Sequence, residues 1–163
     1  MSMTESEFVS RFGAIYEHSP WVATEVASLS TEAGDVEKIA ELMADCVDNA
    51  STSRQLELIR AHPDLAGKAQ VAGELTEEST NEQASAGLDQ CSVDEYEQFQ
   101  SLNVAYHEKF GFPFIMAVKD SSRDEILRAF SDRLGNDPAL EFETALVEIH
   151  KIALLRLRSM EVG

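Results

Sequence analysis

The stretch SVDEYEQFQSLNVAYHEKF, residues 92–110, decides the fold class. Ser92 and Glu95 stand three residues apart, the spacing at which a serine hydroxyl and a glutamate carboxylate cap the first turn of a helix reciprocally. Behind them Tyr96, Phe99, Asn103, Tyr106 and Phe110 recur every three or four residues, which places them on one face of a helix. Downstream, Ser122 with Glu125 repeats the box ahead of Ile126, Leu127, Phe130 and Leu134, and Gly135-Asn136 ends that pattern. Asp137-Pro138 then offers an N-cap and a first-turn proline for a last helix running to about residue 159.

The same period extends upstream. Phe8, Phe12, Ile15 and Tyr16 form a stripe ending before Ser19-Pro20, and Val22, Val26 and Leu29 form another. Asp35 caps a third helix through Ile39, Leu42, Met43 and Val47. Thr52 with Gln55 reads as a capping box for a short helix through Leu56 and Ile59, and Ser79 with Glu82 as another. Only Phe114-Ile115-Met116-Ala117-Val118 looks strand-like, and one such run makes no sheet. The expectation is an all-α, single-domain helical bundle spanning residues 1–163.

At 163 residues and 44% hydrophobic content the chain resembles a soluble globular protein, long enough to bury a core without disulfides or metal. Thirty acidic side chains against thirteen basic ones give a net charge of −17, which repels nucleic acid and anionic membrane surfaces. The same field repels a small anionic substrate unless the site is locally positive. Cys46 and Cys91 form no CxxC or zinc-type pattern, no apolar run is long enough to span a membrane, and no leader is visible, so the expected location is the cytoplasm.

Four features carry candidate chemistry. His62 stands at the break that Pro63 imposes, where an imidazole reaches a cleft or merely caps helix carbonyls. Ser79-Thr80-Asn81-Glu82-Gln83 is a helix start whose N–H groups and Gln83 amide suit an anionic, hydrogen-bonding ligand, although capping alone explains Ser79 and Glu82. The Phe110–Val118 segment, its path fixed by Gly111 and Pro113, is either core or an apolar wall with main-chain polar groups for a planar ligand. Arg156 shares an apolar helical stripe with Phe142, Leu146, Ile149 and Ala153, whereas Arg158 lies opposite. A guanidinium on such a face needs a partner, either a buried carboxylate or an anionic ligand.

The chain has no GxSxG, P-loop, GxGxxG or HExxH, and His18, His62, His107 and His150 lack metal-ligand spacing. His107 and His150 read as rim residues of amphipathic helices. What is left is a site without cofactor or metal, built from a histidine, a carboxylate, an arginine and backbone amides.

Five stretches resemble the 2-oxo-4-hydroxy-4-carboxy-5-ureidoimidazoline (OHCU) decarboxylases. They are residues 8–23 (FVSRFGAIYEHSPWVA), 56–68 (LELIRAHPDLAGK), 75–89 (LTEESTNEQASAGLD), 99–119 (FQSLNVAYHEKFGFPFIMAVK) and 126–157. HPDLAGK, SxxEQAxAGLD and FGFPF in that order are specific in combination. The resemblance implies an all-helical, cofactor-free enzyme, usually a homodimer, that releases CO2 from a small anionic ureidoimidazoline to give (S)-allantoin, the last step from urate. It also implies a functional link to urate oxidase and hydroxyisourate hydrolase. His62 and Glu82 then match the catalytic pair, and Pro63, Ser79, Thr80, Asn81, Glu82, Gln83, Phe114, Ile115, Met116, Ala117, Val118 and Arg156 the substrate-binding set. The rival readings are an acidic helical protein-interaction module without catalysis, and a metal-assisted ureide hydrolase, which the lack of clustered ligands disfavours.

Overall fold

The computed structural model describes residues 3–29, 35–62, 64–65, 81–84, 86–88, 91–119 and 121–162. Seven helices lie in that part: α1 (Glu5–Phe12), α2 (Trp21–Leu29), α3 (Val36–Asp48), α4 (Thr52–Ala61), α5 (Val93–Phe110), α6 (Arg123–Leu134) and α7 (Pro138–Val162). Residues 81–84 add a helical turn, and the described residues contain no strand. The fold is all-α, as the periodicity requires. Two compact units emerge, one made of Met1–Ala61 with Ile149–Gly163 and the other of His62–Glu148.

In the first unit the α1 stripe outlives its helix. Phe8 and Phe12 are buried on α1, but the helix stops at Gly13, whose N–H bonds to the Val9 carbonyl at 2.7 Å. A Cβ at Gly13 would stand 2.6 Å from that carbonyl oxygen, so only glycine closes the turn this tightly. Ile15 and Tyr16 therefore reach the core from turns rather than from the helix the spacing predicts. Leu29 departs too: at the last position of α2 it is 72% exposed, while Val22 and Val26 are buried.

Asp35 caps α3 as expected, its carboxylate accepting from the N–H groups of Glu37 and Lys38. The Thr52/Gln55 box does not form. Ser51, one residue earlier, accepts the Arg54 N–H at 3.2 Å, which frees the Gln55 amide to donate to the Val47 and Asp48 carbonyls at the end of α3. Arg54 donates to Glu25 at 2.8 Å and lies 4.4 Å from the centre of the Trp21 ring. Tyr16 Oη is 2.7 Å from His150 Nδ1, and His150 Nε2 is 3.0 Å from Asp48 Oδ1, so one imidazole ties the α1–α2 connection to the end of α3.

The second unit is built on α5. Both expected boxes are complete, Ser92 with Glu95 and Ser122 with Glu125. Asp137 caps α7 through its bond from the Ala139 N–H. Tyr106 sits at the centre of an aromatic cluster with Phe110, Phe112, Phe114 and Phe130, and the last two stack with ring centres 4.0 Å apart. Its hydroxyl donates to the fully buried Glu141 at 2.6 Å, and Arg133 Nε and Asn136 Nδ2 donate to the same carboxylate. Burial, reinforced by that carboxylate, pushes the Tyr106 hydroxyl well above the usual phenol range.

Candidate active site

His62 follows directly on the last residue of α4 and is 92% buried, with 8% of its surface exposed. The break in the helix falls where the following proline predicts it. Pro63 itself, like Ser79 and Thr80, lies outside the described residues, and so does the Ser79 half of the expected cap.

Asp64 and Leu65 are held from three directions. Gln83 Nε2 donates to the Asp64 carbonyl at 3.3 Å, Asn103 Nδ2 donates to the Leu65 carbonyl at 3.1 Å, and His107 Nε2 is 2.8 Å from Asp64 Oδ1. The first of these bonds brings the Asn81–Gln83 segment to the histidine corner. Gln83 is buried, Glu82 half-buried and Asn81 exposed. The turn after them is fixed by Gly87, whose φ of +76° suits a residue without a side chain, and by Arg123, which donates to the Gly87 carbonyl and to Glu95.

Phe114–Val118 carries no regular secondary structure, and side chains do the work of a sheet partner. Arg133 donates to the Ile115 carbonyl, its guanidinium lying 4.4 Å from the Phe114 ring centre, and the Ala117 N–H donates to Glu148 at 3.1 Å. Phe114, Ile115 and Val118 are buried, and Met116 and Ala117 are half-buried. Helix α5 is common to both segments: Asn103 reaches Leu65, and Tyr106, three residues on, packs against Phe114.

Arg156 belongs to the other unit. Its guanidinium is buried, as its stripe implies, and donates to Glu17 at 3.0 Å and to the Ile15 carbonyl at 3.2 Å. Arg158, on the opposite face, is exposed and pairs with Glu37.

Asn103 and His107 are contacts of the site that no motif or capping spacing in the sequence marks. A signal existed for Asn103, since it is a polar residue on the buried stripe of α5, the same anomaly that singled out Arg156. It is 4% exposed, and its Oδ1 has no hydrogen-bond partner among the described residues. A neutral bond contributes about 0.5–1.5 kcal/mol net, whereas an orphaned buried acceptor costs about 1–3 kcal/mol.

A separate open cleft of about 520 Å³ lies in the first unit, lined by Glu25, Asp45, Cys46, Asn49 and Arg54 among others. None of the nominated residues lines it. Burial, with the Glu25 hydrogen bond next, pushes the Cys46 thiol up to about 12, so it is a poor nucleophile. The described residues hold no group of three or more His, Cys, Asp or Glu suited to a metal ion, and none of their helices is long and apolar enough to cross a membrane.

Against this geometry, comparisons with known proteins agree. A family model described as OHCU decarboxylase matches residues 1–158. The 2-oxo-4-hydroxy-4-carboxy-5-ureidoimidazoline decarboxylase of Haloferax volcanii is 48% identical over 155 residues, covering 95% of this chain and 89% of that protein. A crystal structure of (S)-allantoin synthase aligns with a TM-score of 0.74 and 35% identity, over 96% of this chain and 50% of that one, so this chain spans half of that protein. A crystal structure of an OHCU decarboxylase in the presence of (S)-allantoin aligns with a TM-score of 0.71 and 26% identity, over 88% of this chain and 92% of that one.

Proposed function

The chain belongs to the OHCU decarboxylase family, and from that membership we propose the reaction and the residues that carry it. It is a carboxy-lyase that converts OHCU to (S)-allantoin in urate degradation. The observation that supports a reaction centre at His62 is the three-way anchoring of Asp64 and Leu65 beside a buried imidazole.

Breaking the C–CO2 bond leaves an electron pair that passes into the substrate's adjacent imine, whose nitrogen takes up a proton, so the ring itself is the sink. The carbon bearing the ureido group then takes a proton on one face, while the ring hydroxyl loses its proton and becomes a carbonyl. His62 handles these protons, which is work suited to an imidazole near neutral pH. Glu82 orients His62 or binds ureido N–H groups, and Asn81, Gln83 and the helix start at Ser79-Thr80 bind the anionic and ureido groups. Pro63 and Phe114–Val118 form the apolar wall. Arg156 is the expected source of positive charge for the substrate, a role additional to its bond with Glu17. The working protein is a cofactor-free cytoplasmic homodimer that takes its unstable substrate from urate oxidase and hydroxyisourate hydrolase.

Freshly generated OHCU and the chirality of the allantoin formed provide the test. His62→Asn is expected to lower kcat by about 10²–10⁴-fold with its circular dichroism spectrum unchanged. Turnover equal to wild type would remove His62 from the reaction. Arg156→Gln should raise KM more than it lowers kcat, and an unchanged KM would return Arg156 to a purely structural role.

A further inference from the structure

Helix α5 carries two polar side chains that the reaction as proposed does not use, and both grip the residues just after the His62 corner. Asn103 and His107 are four residues apart and so share a face of α5. Asn103 Nδ2 holds the Leu65 carbonyl at 3.1 Å, and His107 Nε2 lies 2.8 Å from Asp64 Oδ1. A proline ring restricts φ wherever it stands, so few torsions separate Asp64 from the imidazole two positions before it. Fixing residues 64 and 65 therefore narrows the main-chain path from which that ring projects. Among the described residues the buried Asn103 Oδ1 has no hydrogen-bond partner, so the side chain acts here through its donor half, the bond to the Leu65 carbonyl.

We infer that Asn103 and His107 are positioning residues for His62, with α5 serving as a clamp on the reaction corner. This rests on the assignment of the proton chemistry to His62. A misplacement of the order of an ångström is enough to slow an oriented reaction severely while leaving substrate affinity nearly intact.

The test uses the full chain with Asn103→Leu, His107→Leu and His107→Asn, the last keeping an N–H donor for Asp64. His107 and Asp64 are 44% and 34% exposed, so the His107 variants leave the core untouched. Expected is a fall in kcat of about ten-fold or more for Asn103→Leu and about three-fold or more for His107→Leu, with KM within about two-fold of wild type. His107→Asn should recover kcat to within about two-fold. In the ligand-free protein the His62 C2–H resonance, followed by NMR against pH, should move its midpoint by about 0.3 pH or more in both leucine variants.

An unmoved His62 resonance, or equal losses in His107→Leu and His107→Asn, overturns the clamp. If Asn103→Leu fails to fold, the two His107 variants decide alone. Absence of OHCU turnover in the wild type would instead defeat the decarboxylase assignment, and the NMR titration would still judge the clamp.

Discussion

The two units each bury a guanidinium against a carboxylate, and they use the pair differently. In Arg156–Glu17 the side chains are 5% and 1% exposed, and the arginine also donates to main-chain carbonyls of residues 14 and 15. That pair secures the turn left where α1 stops early. In Arg133–Glu141 they are 12% and 0% exposed, and the carboxylate is shared among Arg133, Tyr106 and Asn136. Arg133 reaches on to Ile115, and its Nη2 has no hydrogen-bond partner among the described residues. The second pair is a junction that holds an irregular segment of the candidate site.

Removing the shared carboxylate should do the most damage. Glu141→Leu strands three donors and is expected to cost about 4–5 kcal/mol in urea unfolding, at the upper end for a broken buried pair. Glu17→Leu leaves Arg156 its carbonyl partners and should cost about 3 kcal/mol. Equal midpoints for the two variants would erase the distinction between junction and simple pair. Tyr106→Phe removes one bond of the junction and should cost about 1 kcal/mol.

The smallest effect is alkaline. The Tyr106 hydroxyl titrates higher in the fold than the ordinary phenol value of 10.0, chiefly because it is buried. The native state thus holds that proton more tightly than the unfolded chain, so its contribution is intact below about pH 10 and fades as the pH rises further. Cys46, raised from 9.0 to about 12, has the same sign from about pH 9 upward. The melting temperature should decline above pH 9, more shallowly in Tyr106→Phe. An identical slope in that variant would show that Tyr106 does not drive the decline.

Local chemistry was legible in the sequence. The caps at Asp35, Ser92, Ser122 and Asp137 follow from spacing alone because each bond closes within three residues. Thr52 misled because Ser51 competes for the same turn, and Ile15 and Tyr16 misled because a buried period says nothing of a chain that turns at Gly13. The helix break at His62 was legible from its proline, and the burial of Arg156 from its anomalous face. The grip of Asn103 and His107 was not, since their partners lie 38 and 43 residues away, a separation no helical period encodes.

One contact has a practical sequel. Trp21, half-buried beneath the Arg54 guanidinium, is the single tryptophan of the chain. Indole emission therefore reports from Met1–Ala61 with Ile149–Gly163, whereas ellipticity sums over the helices of both units. Fluorescence and ellipticity recorded along one melt would separate the halves without any engineered label, and superimposable curves would mark them as a single cooperative domain.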